Sequence, residues 1–102
     1  MAIGAVGAIQ VRAEVLSNKR VGAYHHLTFV APGVAEKSKP GNFVAIAVGG
    51  PDTSMLLRRS FSIYRVTPRD QYGGTVEIIF SVAGRGTAWM AGLRAHDTFD
   101  LV

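Results

Sequence analysis

Apolar and polar residues alternate with a period of two along most of this chain, the spacing of strands that turn one face to a core. Ile9, Val11, Ala13 and Val15 fall on one side, with Gln10, Arg12 and Glu14 on the other. Ser17-Asn18-Lys19 reads as a polar turn, and a second strand runs from about Val21 to Val30, closed by Ala31-Pro32-Gly33. The polar stretch Val34 to Gly41 ends in Lys39-Pro40-Gly41-Asn42, a turn signal because proline fixes φ and glycine permits positive φ. Phe43 to Val48 is apolar on both faces, as in a strand buried on two sides or lining a barrel. Gly49-Gly50-Pro51-Asp52 interrupts it. A strand from Arg59 to Val66 follows, then the polar loop Thr67 to Gly74. Val76, Ile78, Phe80 and Val82 form the next inward face, with Glu77 and Ser81 opposite.

One helix is predicted, opening near Gly86-Thr87 with Thr87 as a possible cap. Met90 and Leu93 share a face at i and i+3, and Ala88, Ala91 and Ala95 favour helix. Thr98 to Val102 starts a last strand. Six short strands and one short helix predict an all-β fold, a six-stranded antiparallel Greek-key β-barrel. The 102 residues fit one domain, 1–102. Stopping at Leu101-Val102, mid-strand on this reading, the chain is expected to be a domain excised from a longer protein.

Composition narrows the chemistry. Hydrophobic content of 48% supports a compact core, and a formal charge of +4 favours anionic ligands without choosing among them. The absence of cysteine excludes a disulfide, a thiol nucleophile or an iron–sulfur site within these residues. The apolar start, Met1 to Ile9, lacks a basic leader and is about half a membrane span, so a soluble, cytoplasmic domain is expected.

Two segments carry candidate chemistry. At Gly84-Arg85-Gly86-Thr87 a strand gives way to a helix whose first N–H groups are free, an arrangement suited to phosphate. It is neither a Walker loop nor a Rossmann fingerprint, since no Gly-Lys-Ser/Thr follows and the third glycine is missing. In Arg58-Arg59-Ser60-Phe61-Ser62-Ile63, strand alternation puts Arg59, Phe61 and Ile63 on one face and Arg58, Ser60, Ser62 and Tyr64 on the other. An inward arginine beside an anion-binding turn can neutralise a pyrophosphate through two hydrogen bonds.

Together these segments resemble the FAD-binding domain of the ferredoxin reductase superfamily, in which Arg-x-aromatic-Ser on a strand precedes a Gly-x-Gly-Thr helix start. Leu56-Leu57-Arg58-Arg59-Ser60-Phe61-Ser62-Ile63, Pro40-Gly41-Asn42-Phe43, Ile78-Ile79-Phe80-Ser81-Val82 and Asp97 to Val102 are similar to segments of the electron-transfer subunits of bacterial NAD-dependent dihydroorotate dehydrogenases. The resemblance implies FAD as cofactor, and NAD(H) and a [2Fe–2S] cluster held outside this chain. It also implies two partners, a catalytic dihydroorotate dehydrogenase subunit and the protein's own NAD-binding domain, and a part in dihydroorotate oxidation. A general NAD(P)H–flavin or ferredoxin reductase is the alternative.

By that resemblance Arg59 pairs with the FAD pyrophosphate, Phe61 takes the aromatic slot against the flavin or ribityl, and Ser62 lies near flavin N5. Ile79, Phe80 and Ser81 fall on a second cofactor-contacting strand, and Gly86 and Thr87 supply helix-terminal donors. The chain departs from the pattern where Ser60 replaces proline and Phe80-Ser81 replaces Tyr-Arg. A charged hydrogen bond is worth roughly 1.5–3 kcal/mol, so the second change alone is expected to weaken FAD binding about ten-fold or more. No catalytic residue and no metal site is expected in this domain.

The remaining candidates read as scaffold. His25 and His26 are adjacent in a strand and face opposite ways, and His96 is distant in sequence. Trp89 and Met90 read as packing residues, and Asp97 and Asp100 as turn and strand-edge residues. A basic barrel binding single-stranded nucleic acid through Tyr24, Phe29, Phe43, Phe61 and Phe80 is a second functional class. Those aromatics lie mostly on apolar faces, so neither a nucleic-acid nor a membrane partner is expected.

Overall fold

The computed structural model describes residues 11–48 and 58–101. Six strands, β1 (Val11–Val21), β2 (Tyr24–Val30), β3 (Phe43–Ala47), β4 (Arg58–Thr67), β5 (Thr75–Phe80) and β6 (Thr98–Leu101), form a closed barrel in the order β1-β2-β5-β4-β3-β6. All neighbours are antiparallel, and Ile46 opposite Leu101 joins β3 to β6. Alternating side chains fill the interior: Ala13 and Val15, Leu27 and Phe29, Val44 and Ile46, Val76 and Ile78, and Phe99 and Leu101 are buried. Phe29 meets Phe99 edge to face at 5.0 Å near the centre.

The predicted all-β barrel is the observed one, with differences in detail. Ser17-Asn18-Lys19 is strand rather than turn, and β1 continues to a two-residue hairpin at Gly22-Ala23. Gly22 sits at φ +62, the conformation that hairpin turns with glycine at the first central position require. A bulge between Val15 and Ser17 shifts the register, and it leaves Asn18 opposite the inward-facing Leu27. Around it, Val15 N–H donates to Asp97 O and His96 N–H to Val15 O. Of the two readings of Phe43 to Val48, the strand lines the barrel and is not buried on two sides: Val44 and Ile46 are buried, while Phe43 is 72% exposed. Val82 is exposed because β5 ends at Phe80. Gly49 to Asp52, Leu56-Leu57, Val102 and Met1 to Gln10 lie outside the described residues.

Among the described residues two short helices are present, not one. α1 (Pro32–Lys37) forms where a turn is predicted, because proline fits the first turn of a helix, where its missing N–H is no loss. Its single buried residue is Ala35, too little for an apolar period to show in the sequence. α2 (Arg85–Ala91) begins one residue before the expected start and buries Gly86 and Met90. The helices stand at opposite ends of β5, α1 by Thr75 and α2 beyond Phe80.

Candidate functional site

The site is built where β5 leaves the barrel wall. β4 and β5 pair only from Ile63 opposite Ile78 onward, whereas β4 pairs with β3 from Arg58 to Ser62. Over Arg58–Ser62 one edge of β4 therefore has no strand partner among the described residues, and Gly86 of α2 packs near the Arg59 side chain there. Ile63 N–H donates to Asn42 O on the β3 side at 2.7 Å. Successive N–H groups of a strand point to opposite edges, so those of Ser62 and Ser60 point to the open edge.

The side chains sort as alternation predicts. Val44 lies opposite Phe61 and Ile46 opposite Arg59, and directly opposed residues share a face. Arg59 and Phe61 thus lie on the interior side, with Phe61 half-buried against the core and Arg59 exposed at the barrel end. Ser60 and Ser62 are exposed on the outer side, Ser62 opposite Phe43. On β5, Phe80 is 6% exposed and Ile79 is 42% exposed on the outer side; Ser81 is exposed just past the strand. Phe61 meets Phe80 edge to face at 5.9 Å, and His25 stacks on Phe80 at 5.5 Å.

Arg59 and Gly86, far apart in sequence, meet here. A Cβ at Gly86 would lie 3.0 Å from Val48 Cγ2 and 3.4 Å from both Cγ and Nε of Arg59. Close approach, not backbone angle, favours glycine at this position. Thr87 is not the N-cap but the third helical residue: its hydroxyl accepts from Ala83 N–H at 2.7 Å and Gly84 N–H at 3.1 Å. The same hydroxyl donates to Gly84 O at 3.2 Å. With the hydroxyl engaged inside the turn, what Thr87 offers a ligand is its backbone N–H. Arg58 and Arg85 add two exposed cations on either flank of the junction. The set of donors (guanidinium groups and first-turn amides) suits a phosphate-bearing ligand, with an aromatic ring and a free strand edge beside it.

Other polar residues have structural partners. His26 Nε2 lies 2.7 Å from Glu77 Oε1, and His96 Nδ1 lies 3.0 Å from Glu14 Oε2. Asp100 pairs with Arg12, and Asp97 Oδ2 accepts from Arg94 N–H. Met90 is fully buried and Trp89 is packed against the core. Among the described residues no group of three or more His, Cys, Asp or Glu could hold a metal ion. No helix there is long and apolar enough to cross a membrane. Sequence reasoning missed Asn18, whose side-chain amide donates to Met90 O, Ala91 O and Leu93 O at the end of α2. No sequence signal marked it, because its partners lie more than seventy residues away.

No family model matches the chain. Over 69 residues it is 36% identical to the electron transfer subunit of dihydroorotate dehydrogenase B (NAD(+)) from Enterococcus faecalis, a match covering 68% of this chain and 24% of that protein. The chain thus spans about a quarter of the length of this curated relative. Among solved structures, an NADH-dependent reduced ferredoxin–NADP oxidoreductase superposes with a TM-score of 0.72 at 20% identity, covering 87% of this chain and 32% of the other. The barrel has the ferredoxin–NADP reductase fold. A mutant of ferredoxin–NADP+ reductase from Plasmodium falciparum, solved with 2′P-AMP, has a TM-score of 0.69 at 13% identity over 92% of this chain and 39% of its own. A siderophore-interacting protein from Acinetobacter baumannii has a TM-score of 0.72 at 12% identity, with the same coverages. The resemblance read from the arginine–serine strand and the glycine–threonine turn is thus matched in sequence and in fold.

Proposed function

We infer that this chain is the FAD-binding part of an electron-transfer flavoprotein. The observation that carries the reading is the meeting of Arg59 with Gly86 beside the open edge of β4. On this reading Arg59 and the first-turn N–H groups of α2, those of Gly86 and Thr87 among them, hold the pyrophosphate. Phe61 contributes its ring, and Ser62 contributes the N–H on the open edge, which a flavin lying along β4 can reach from the side of Arg59. That edge resolves an apparent conflict, since the side chains of Arg59 and Ser62 point to opposite sides of the strand. Ile79 and Ser81, exposed around the end of β5, flank the same region, while Phe80 acts through the ring of Phe61.

FAD, when bound, supplies hydride and electron transfer; the residues of this chain bind and orient it. The finer reading is a subunit of the dihydroorotate dehydrogenase type, with a catalytic partner subunit, and with NAD(H) and a [2Fe–2S] cluster held outside residues 1–102. It rests on the match to the Enterococcus faecalis subunit. A general ferredoxin or flavin reductase is the second reading, favoured by the fold shared with the ferredoxin–NADP reductases. Titrating the protein with FAD tests the common core of both. Quenched flavin fluorescence with amide shifts confined to Arg59–Ser62 and Gly84–Thr87 is expected, and unchanged fluorescence and spectra at millimolar FAD would refute it.

A further inference from the structure

α2 has only seven residues, too few to hold a helix without outside support. Its first turn is closed from within by Thr87, so its placement in the barrel depends on packing and on its far end. There the side chain of Asn18, midway along β1, reaches the end of the helix. Nδ2 donates to Leu93 O at 2.9 Å, Met90 O at 3.0 Å and Ala91 O at 3.3 Å. Carbonyls only accept, so the amide can face them in one orientation alone. Oδ1 of Asn18 is buried without a hydrogen-bond partner among the described residues. An aliphatic side chain of the same size would avoid that orphaned oxygen, but could not grip the carbonyls that end the helix.

We propose that Asn18 is a positioning residue for anion recognition: by clamping the carbonyl end of α2, it fixes where Gly86 bears on Arg59. The proposal rests on the flavin reading and deepens it. Two observations connect the ends. A seven-residue helix is a rigid rod of about 10 Å, so a shift at Met90–Leu93 is passed to its first turn. At that turn the fit is close, because a Cβ at Gly86 would lie 3.0 Å from Val48 Cγ2 and 3.4 Å from the Arg59 side chain. Asn18 touches no ligand. It acts through α2 on the half of the site that binds phosphate, and the flavin-facing half formed by Phe61 and Ser62 stays attached to β4.

The two halves of FAD separate this role from a merely structural one. Asn18→Leu and Asn18→Asp each remove the donors at nearly constant size, and each is titrated with FAD, ADP and riboflavin. Binding of FAD and ADP is expected to weaken about ten-fold, with riboflavin binding kept within about two-fold. Equal weakening of all three, or of none, overturns the proposal, and so does loss of the folded barrel in both variants. Amide resonances of Gly84–Thr87 and the Arg59 Nε–H signal, recorded without ligand, give an independent reading. They are expected to shift in both variants while those of Ile63 and Ile78 stay in place. If the unaltered protein binds neither FAD nor ADP, the flavin reading fails, and these resonances alone decide whether Asn18 positions the junction; unmoved signals would then overturn it.

Discussion

The two ends of β5 carry the same device, a short helix beside a glycine in close contact, and use it differently. At the Thr75 end the turn is held by bonds to its own aspartate. Asp70 accepts from Tyr72 N–H at 2.8 Å, Gly74 N–H at 3.2 Å and Thr75 Oγ1–H at 2.8 Å. The Thr75 hydroxyl, followed by these backbone donors, holds the Asp70 carboxyl below its ordinary pKa despite some opposing desolvation. Gly74, at φ +143, leaves no room for a side chain against Ala35, Pro32 and Pro68. At the Phe80 end the glycine contact is just as close, yet Arg58, Arg59 and Arg85 face solvent and the first amides of α2 have no internal carbonyl to bond. A closed end stabilises the barrel. An end with its donors left over is open to a ligand.

Substitutions can break this contrast, most sharply at the closed end. Gly74→Ala forces a positive φ on alanine and sets its Cβ 3.0 Å from the Pro32 backbone, the Pro68 carbonyl and the Ala35 methyl. A loss of about 3 kcal/mol is expected, lowering the thermal midpoint by more than about 10 °C, with FAD affinity of the folded fraction retained. Calorimetry with and without FAD checks both halves of that statement. Arg59→Ala is the mirror image. Stability should change by less than about 0.5 kcal/mol, because the side chain is exposed, while FAD affinity falls ten-fold to a hundred-fold. A midpoint drop as large as that of Gly74→Ala would show the two ends to be alike after all.

Gly86→Ala lies between these extremes. The Val48 methyl and the Arg59 side chain can yield by a few tenths of an ångström, so a cost of about 1 kcal/mol and a several-fold loss of FAD binding are expected, read by melting and by fluorescence titration. The smallest effect is that of pH at the closed end. Because the folded-state pKa of Asp70 is depressed, its contribution is fully present above the unfolded value near pH 4 and is lost as pH falls through the folded value. Melts of the protein and of Asp70→Asn between pH 7 and pH 2 should converge at the acid end. A difference that stays constant with pH would remove the carboxylate from the account.

Local patterning was legible where a residue's environment is set by its own neighbours. The inward faces of β1, β2 and β5 up to Phe80, and the split of Arg59 and Phe61 from Ser60 and Ser62, follow from a period of two. Patterning misled where a distant segment decides. Ser17-Asn18-Lys19 looks like a turn because its residues are polar, but the Asn18 amide donates to carbonyls at the end of α2 that no local window contains. Pro32-Gly33 looks like a chain break, yet Ala35 and the close contact with Gly74 draw the segment into a helix. Thr87 looks like a cap; the bonds to Ala83 and Gly84 make it the residue that closes the turn from the third position.

Alternation and turn chemistry are local, and they were enough to specify the barrel class, the faces of its strands and the two segments that carry the cofactor resemblance. Folding in three dimensions adds that Arg59 meets Gly86, that β5 leaves β4 with an open edge from Arg58 to Ser62, and that Asn18 bonds to the end of α2. Those are contacts between segments far apart in the chain, and they depend on where β5 ends and where α2 packs. Packing of that kind has no period to read.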